Sequence, residues 1–172
     1  MIKIKIGISS CLLGVNVRYD GGHKLDGFLK DYLGVFAEYV PVCPEVECGL
    51  GVPREPMQLE GDPLNPRLVT TDSKQERTCL FLNWAKKRVD DLATENLSGF
   101  IFKSDSPSCG MERVKVSSEK GLVFKTGVGI FSRILMQRFP WLPTEDEVRL
   151  QDPMLRGYFI ERIFDLGRSR DV

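Results

Sequence analysis

The 172-residue sequence has little histidine and no excess of charge of either sign. Its single histidine, His23, is a poor source of the imidazole ligands that zinc sites often use alongside cysteine. The 24 basic and 24 acidic side chains cancel, so a nucleic acid would have to bind a local basic patch and not a generally positive surface. These shortages count against a histidine-rich zinc site and against recognition of nucleic acid by bulk charge.

No long apolar run is present either. The N-terminal segment MIKIKIGISSC alternates lysine with isoleucine and lacks the continuous apolar stretch of a signal peptide, and no other stretch approaches the length of a membrane span. We therefore expect a cytoplasmic protein. With 42% hydrophobic residues, the chain is long enough to build one domain around one core.

Hydrophobic periodicity predicts strands that alternate with helices. The predicted strands are Lys3–Ser9, Phe36–Val42, Arg67–Thr70 and Gly99–Lys103, followed by a hairpin across Lys115–Lys125. The predicted helices are Leu25–Tyr32, Ser73–Glu95, Ile130–Phe139 and a last helix after Asp152-Pro153. The segment Leu50–Pro66 is rich in proline and glycine and is expected to be irregular. This order indicates an α/β domain whose mostly parallel sheet is flanked by helices.

Five cysteines, an odd number in a chain without an export signal, point to free thiols, metal binding or catalysis and not to a disulfide framework. Cys11, Cys43 and Cys109 each come shortly after a predicted strand, beside glycine, proline or serine. Because ligands bind at the carboxyl ends of the strands in such sheets, we expect these three thiols to lie at one functional edge. Thiols in turns of this kind are typical of reactive or metal-binding sites.

The other two cysteines have a different interpretation. Cys79 is expected to be a small buried side chain near the start of the long helix. Cys48 follows Cys43 at a spacing longer than the C-x-x-C of zinc ribbons and redox sites, so it is a poor partner in chelation.

Three thiolates from separate loops suit an iron–sulfur cluster. A cubane with three cysteine ligands leaves one iron open, and that iron can act as a Lewis acid. Glu45 lies two residues after Cys43 and would reach the iron as an acid or base, although its spacing alone is more typical of a solvated carboxylate. The residues by themselves therefore predict a three-thiolate metal site at the edge of an α/β sheet, with a carboxylate and serines nearby.

Three cysteine-centred blocks carry a family resemblance. SSCLLGVNVRYDGGHK, VPVCPEVECGLGVPREP and KSDSPSCG resemble, in this order, the signature blocks of the thiouracil desulfurase family, and the similarity extends over nearly the whole chain. The resemblance implies a Rossmann-like fold and an oxygen-sensitive 4Fe-4S cluster bound by three cysteines. It also implies non-redox removal of sulfur from thiolated pyrimidines, with the sulfur passing to the open iron.

The resemblance assigns roles to individual residues. The implied cluster ligands are Cys11, Cys43 and Cys109. Glu45 matches the acidic catalytic residue, and the catalytic serine is assigned to Ser106, with Ser104 and Ser108 in the same block. Cys48 stands at a position that varies in the family. Apart from the resemblance, a polar loop after Cys11 could line the entrance of the site or could form a salt-bridged turn; it contains Arg18, Tyr19, Asp20 and Lys24. Further candidates for binding the substrate are Arg54, Lys103 and Ser104.

The C-terminal segment FPWLPTEDEVRLQDPMLRGYFIERIFDLGR is similar to the joint in longer relatives. There the desulfurase-like domain continues into a second helical domain, which is implied to help hold tRNA containing 4-thiouridine. We therefore divide the chain into a desulfurase-like domain, 1–150, and a joint helix, 151–172, and expect that a second domain has been removed; a natural short form is the alternative. Gly157 departs from the acidic residue usual in the long form.

Two other functions compete with the desulfurase. One is a metal-free enzyme in which Cys109 is the nucleophile, its pKa lowered by Lys103 or a following helix start. The other is a nucleic-acid-binding module with a structural metal site and no catalysis. Such a module would be recognised by a basic stripe on one side of the protein, formed by residues such as Lys86, Lys87, Arg88, Arg113, Lys115 and Lys125.

Overall fold

Eight strands and four α-helices make up the regular structure of residues 3–170, the part of the chain that the computed structural model describes. The strands are β1 (Ile4–Ser9), β2 (Ala37–Val42), β3 (Met57–Glu60), β4 (Arg67–Thr70), β5 (Gly99–Phe102), β6 (Val114–Ser117), β7 (Val123–Gly127) and β8 (Thr144–Asp146). The helices are α1 (Pro44–Glu47), α2 (Thr78–Ala93), α3 (Ile130–Arg138) and α4 (Pro153–Arg170). Shorter turns are the 3₁₀ segments Ser10–Leu13, Leu33–Val35 and Arg149–Gln151 and the π-helical turn Phe28–Tyr32.

The central sheet has the order β2-β1-β5-β8, and every neighbouring pair is parallel. All four residues of β5 are buried, and successive side chains of a strand point to opposite faces. Phe100 and Phe102 pack with residues of α2 and α3, whereas Ile101 packs with Phe159 and Ile163 of α4. Helices thus cover both faces of the sheet. The predicted α/β fold, with a mostly parallel sheet flanked by helices, is confirmed.

A second sheet, in the order β4-β3-β6-β7, lies beside the amino-terminal halves of α2 and α3. The predicted strand β4 and the predicted hairpin β6–β7 are confirmed, the hairpin strands being antiparallel. The prediction that Leu50–Pro66 is irregular throughout is wrong, because β3 pairs with both β4 and β6. Pro56 and Pro63 flank this strand without interrupting it, and its Leu59 is fully buried.

The predicted helix Leu25–Tyr32 is wrong in form and in extent. Only the π-helical turn and the following 3₁₀ turn are helical, and Tyr32 is 72% exposed. The Asp26 carboxylate accepts the Leu29 N–H, so the helical turn begins after Asp26 and Leu25 lies outside it. The wider π turn then brings Leu33 to the core instead of Tyr32.

The long helices follow their predicted apolar stripes. The stripe of α2 is buried as expected and consists of Phe81, Ala85, Val89 and Leu92. Cys79 is exposed, contrary to prediction, because it precedes Phe81 by two residues and so points roughly 200° away from that stripe. No helix within residues 3–170 is both long and apolar enough to span a membrane. The division at residue 150 stays a prediction; α4 packs on the central sheet through Phe159 and Ile163.

Candidate active site

Three cysteines from three adjacent strands line one cavity of about 430 Å³. Cys11 lies in the 3₁₀ turn directly after β1, Cys43 follows β2 as the residue before α1, and Cys109 lies in the loop after β5. Because β2, β1 and β5 are neighbours in a parallel sheet, their carboxyl ends bring these thiols to the same edge. The structure therefore brings the three predicted ligands together.

Burial controls the protonation of these thiols. Cys11, Cys43 and Cys109 are 8%, 8% and 4% exposed. Burial raises the pKa of Cys11 to about 11 and that of Cys43 to about 12, and it raises the pKa of Cys109 well above its usual range, with the Glu45 carboxylate adding to each effect. The lowered pKa that the metal-free alternative expects for Cys109 is therefore wrong. His23 does not line the cavity; it is exposed, and its Nδ1 accepts the Leu25 N–H.

The loop that carries Cys109 is tied down by its own serines and by α3. Ser106 Oγ accepts the N–H groups of Cys109 and Ser108, at 3.1 and 3.3 Å. The first residues of α3 add further bonds, including one from Phe131 N–H to the Ser108 carbonyl at 2.9 Å. Only glycine fits at position 129, because a Cβ there would lie 2.5 Å from the Ser108 carbonyl carbon. The thiol of Cys109 thus sits on a rigid loop.

Glu45 points into the site and is not a solvated carboxylate. Its side chain is 14% exposed, and its Oε1 accepts the hydroxyl of fully buried Ser108 at 2.5 Å. Its Oε2 lies 3.6 Å from Cys43 Sγ and 3.8 Å from Nη2 of Arg54. Arg54 is fixed in turn by bonds to the Val17 and Gly51 carbonyls. The interpretation of Glu45 as a surface carboxylate, which its spacing favoured, is wrong.

Ser106 and Ser108 have different positions relative to Glu45. A serine hydroxyl has one hydrogen, and that of Ser108 goes to Glu45, so the 3.1 Å contact between the two serines is donated by Ser106. Ser106 lines the cavity, whereas Ser108 lies behind it in direct contact with the carboxylate. Nothing in the local sequence distinguishes the two roles, because they depend on a partner 63 residues away.

The predicted substrate-binding residues separate into two groups. Arg18, Lys103 and Ser104 line the cavity, as do Tyr19, Lys24 and Arg54. Asp20 does not: its carboxylate accepts the Gly22 N–H at 3.0 Å and lies 3.7 Å from Arg18 Nε. The bond from Gly22 is the main cause that lowers the pKa of Asp20. Asp20 therefore stabilises the turn next to Arg18 and does not face the cavity. Cys48 is also outside the lining, with its Sγ 3.3 Å from the Glu45 carbonyl.

A sequence model of the family described as 2-thiouracil desulfurase matches residues 6–147, the span from β1 to the end of β8. The chain belongs to the 2-thiouracil desulfurase family. Among its relatives is the uncharacterized protein YbbK of Bacillus subtilis (strain 168), 31% identical over 146 residues that cover 82% of this chain and 95% of YbbK. The solved structure of the 4Fe-4S-dependent thiouracil desulfidase TudS is similar too, with a TM-score of 0.68, 31% identity and coverage of 90% of this chain and 96% of TudS.

In this member of the 2-thiouracil desulfurase family, the three thiols line one cavity but are not arranged around a single ion. Within residues 3–170, no three His, Cys, Asp or Glu side chains are placed to hold a single metal ion. In a cubane cluster, each cysteine binds a different iron, so the sulfur ligands lie farther apart than they do around one ion. The donor set fits a three-thiolate cluster better than it fits a mononuclear site.

A largely buried acidic residue that the sequence patterns did not indicate lies behind the cavity wall, with its side chain 13% exposed. Glu147 follows β8, the fourth parallel strand, and its carboxylate contacts Lys103 and Ser104. The strand itself was not predicted, because the polar residues Thr144–Asp146 show no strand pattern. Four strand ends, and not three, therefore build this edge of the sheet.

Proposed function

We propose that this protein is a 4Fe-4S-dependent desulfidase that replaces the sulfur of a thiolated uracil by oxygen. Membership of the 2-thiouracil desulfurase family and the likeness to TudS support this reaction class. The observation that carries the proposal is the convergence of three buried thiols on one cavity, into which the Glu45 carboxylate points.

The cluster would be held by Cys11, Cys43 and Cys109, and it would supply a Lewis acid with affinity for soft sulfur. The protons of the three thiols must leave when the metal binds, because thiolates are the ligands. Cys48 and Cys79 take no part in this ligand set. The first lies outside the cavity lining and the second is exposed.

Glu45 is the acid and base of the proposed reaction. Water adds its oxygen to the ring carbon that carries sulfur, Glu45 accepts a proton from that water, and the carbon–sulfur bond breaks to release sulfide. Atoms balance as thiocarbonyl plus water giving carbonyl plus hydrogen sulfide. The Ser108 hydroxyl and the Arg54 guanidinium keep Glu45 in place for the transfer.

Ser106 lines the cavity, and its hydroxyl would hydrogen-bond the pyrimidine by turning its hydrogen away from Ser108. Arg18 lines the same cavity. Asp20, which does not line the cavity, would orient the Arg18 side chain through the 3.7 Å contact between its carboxylate and Arg18 Nε. The substrate class is a thiolated pyrimidine, presented as a free base, as a nucleoside such as 4-thiouridine, or within tRNA. The basic stripe of the binding-module alternative stays a hypothesis; one of its members, Arg88, is in an ion pair with Glu47 at 2.9 Å.

Anaerobic reconstitution with iron and sulfide tests the proposal. The protein should become brown, contain four irons per chain, and release sulfide from at least one of 2-thiouracil, 4-thiouracil, 4-thiouridine and thiolated tRNA, compared side by side. The single variants Cys11→Ser, Cys43→Ser and Cys109→Ser should lose the cluster, whereas the control variants Cys48→Ser and Cys79→Ser should keep it. A protein that binds neither iron nor sulfide under these conditions would contradict the proposal.

A further inference from the structure

A compact cluster of charged and polar groups joins the ends of β5 and β8 at the cavity wall. Lys103 Nζ donates to the Glu147 carboxylate at 2.5 Å, to the Ser104 carbonyl at 2.9 Å and to Ser104 Oγ at 3.0 Å. The side chains of Lys103 and Glu147 are 16% and 13% exposed. An ammonium group has three hydrogens, and all three of Lys103 are used inside the protein.

Glu147 completes the arrangement from the other side. One of its oxygens accepts the Ser104 N–H at 2.8 Å, and the other also accepts the Ser104 hydroxyl at 2.7 Å. Burial by itself raises the pKa of Glu147, but the hydrogen bonds from Lys103 and Ser104 outweigh it and leave that pKa lowered, so the carboxylate is ionised at neutral pH. The main chain of Lys103 is held as well, since its N–H donates to Ser9 Oγ at 2.9 Å.

We propose that Glu147 is a positioning residue that fixes Lys103 as a stationary positive charge beside the cluster, and that Lys103 acts on the cluster and not on the substrate. This inference rests on the proposed function. Lys103 lines the same cavity as Cys11, whereas Glu147 lies behind it and outside the lining. Three thiolates and the sulfides of a cluster make an anionic group. The Lys103–Glu147 pair is neutral as a whole, but its positive end is the one that lines the cavity, so it would stabilise that negative charge. A substrate could hydrogen-bond Lys103 only by breaking one of its three internal bonds.

The reduction potential of the reconstituted cluster tests this charge directly. Lys103→Met removes a positive charge and should shift the potential to more negative values, because the reduced cluster carries one more negative charge. Glu147→Gln removes the opposing charge and should shift the potential to more positive values. The matched control pair is Lys5→Met and Glu95→Gln, an ion pair of 3.0 Å near the amino end of β1, on the opposite edge of the sheet, where neither change should move the potential.

Kinetics and product binding separate this role from substrate binding. In Lys103→Met, the KM for thiouracil and the affinity for uracil should stay within twofold of the parent protein. An unchanged potential in both site variants, or a KM more than twofold higher in Lys103→Met, would overturn the inference while leaving the desulfidase proposal intact.

Amide hydrogen exchange of the cluster-free protein tests the positioning role even where no cluster can be loaded. Glu147→Ala should speed exchange of the Ser104 amide at least tenfold, since that N–H loses its acceptor, and Glu95→Ala should leave it unchanged. Equal exchange in the Glu147→Ala and parent proteins would refute the positioning role. Failure to bind a cluster, with exchange altered as expected, would instead refute the proposed function.

Discussion

Replacing Ser108 by alanine removes the hydroxyl group that holds the Glu45 carboxylate in the cavity. Ser108 is fully buried, its Oγ lies 2.5 Å from Glu45 Oε1, and the Glu45 side chain is only 14% exposed. Water therefore has poor access to replace the lost bond. A hydrogen bond to a charged group contributes roughly 1.5–3 kcal/mol.

If about 2 kcal/mol of that contribution is specific to the transition state, the variant loses roughly 30-fold in kcat. The loss should appear in kcat more than in KM, because Ser108 lies behind the cavity wall and contacts Glu45, not the substrate. Iron content should stay at the parent level, since the backbone bonds that hold the Cys109 loop run through Ser106 and α3.

The assay is anaerobic sulfide release per cluster, with iron counted in the same sample. Ser98→Ala is the matched control, because Ser98 is a buried serine (2% exposed) just before the amino end of β5, away from the cavity. Full activity in Ser108→Ala would refute the positioning of Glu45 by Ser108. A loss of activity that follows a loss of iron would refute it as well, because the defect would then lie in cluster binding.

Three further predictions concern the same edge of the sheet. Glu45→Gln should keep its iron and lose at least 100-fold in sulfide release, since an amide cannot accept the proton; activity within tenfold of the parent would contradict its role as base. In cluster-free protein, burial raises the pKa of Cys11 to about 11 and that of Cys43 to about 12 from about 9, so the folded state keeps protons that the unfolded chain releases. This contribution to the free energy of unfolding is complete below about pH 9 and is lost as pH rises toward 12; urea unfolding should show a weaker pH dependence in Cys43→Ser. Gly129→Ala should lower the free energy of unfolding by about 1–3 kcal/mol and lower iron content, because its Cβ would lie 2.5 Å from the Ser108 carbonyl carbon. Gly157→Ala on α4 should unfold no more easily than the parent, because its Cβ would meet nothing within 4 Å beyond the backbone of its own helix.

Local pattern was sufficient for the main elements of the fold. The apolar run of β5, the stripe of α2 and the turn that begins α4 at Pro153 depend on residues close together in the chain, and the structure confirms each of them. The placement of the cysteines after strands follows from the same pattern. In a parallel sheet, that order alone brings three thiols to one edge.

The elements that sequence analysis missed lack such local signals. β3 is short and surrounded by prolines, and β8 is polar; both are strands because neighbouring strands offer them hydrogen-bond partners. The exposed Cys79 was misplaced because a two-residue offset on a helix reverses the direction of a side chain.

The sequence by itself therefore determined the fold class, the reaction family and the three thiols, since each depends on local pattern or on motif order. Only the tertiary structure decided that Ser108 holds Glu45, across 63 residues, and that Glu147 holds Lys103, across 44 residues. Both pairs form because the parallel strands end at a common edge, where packing selects hydrogen-bond partners that lie far apart in the chain.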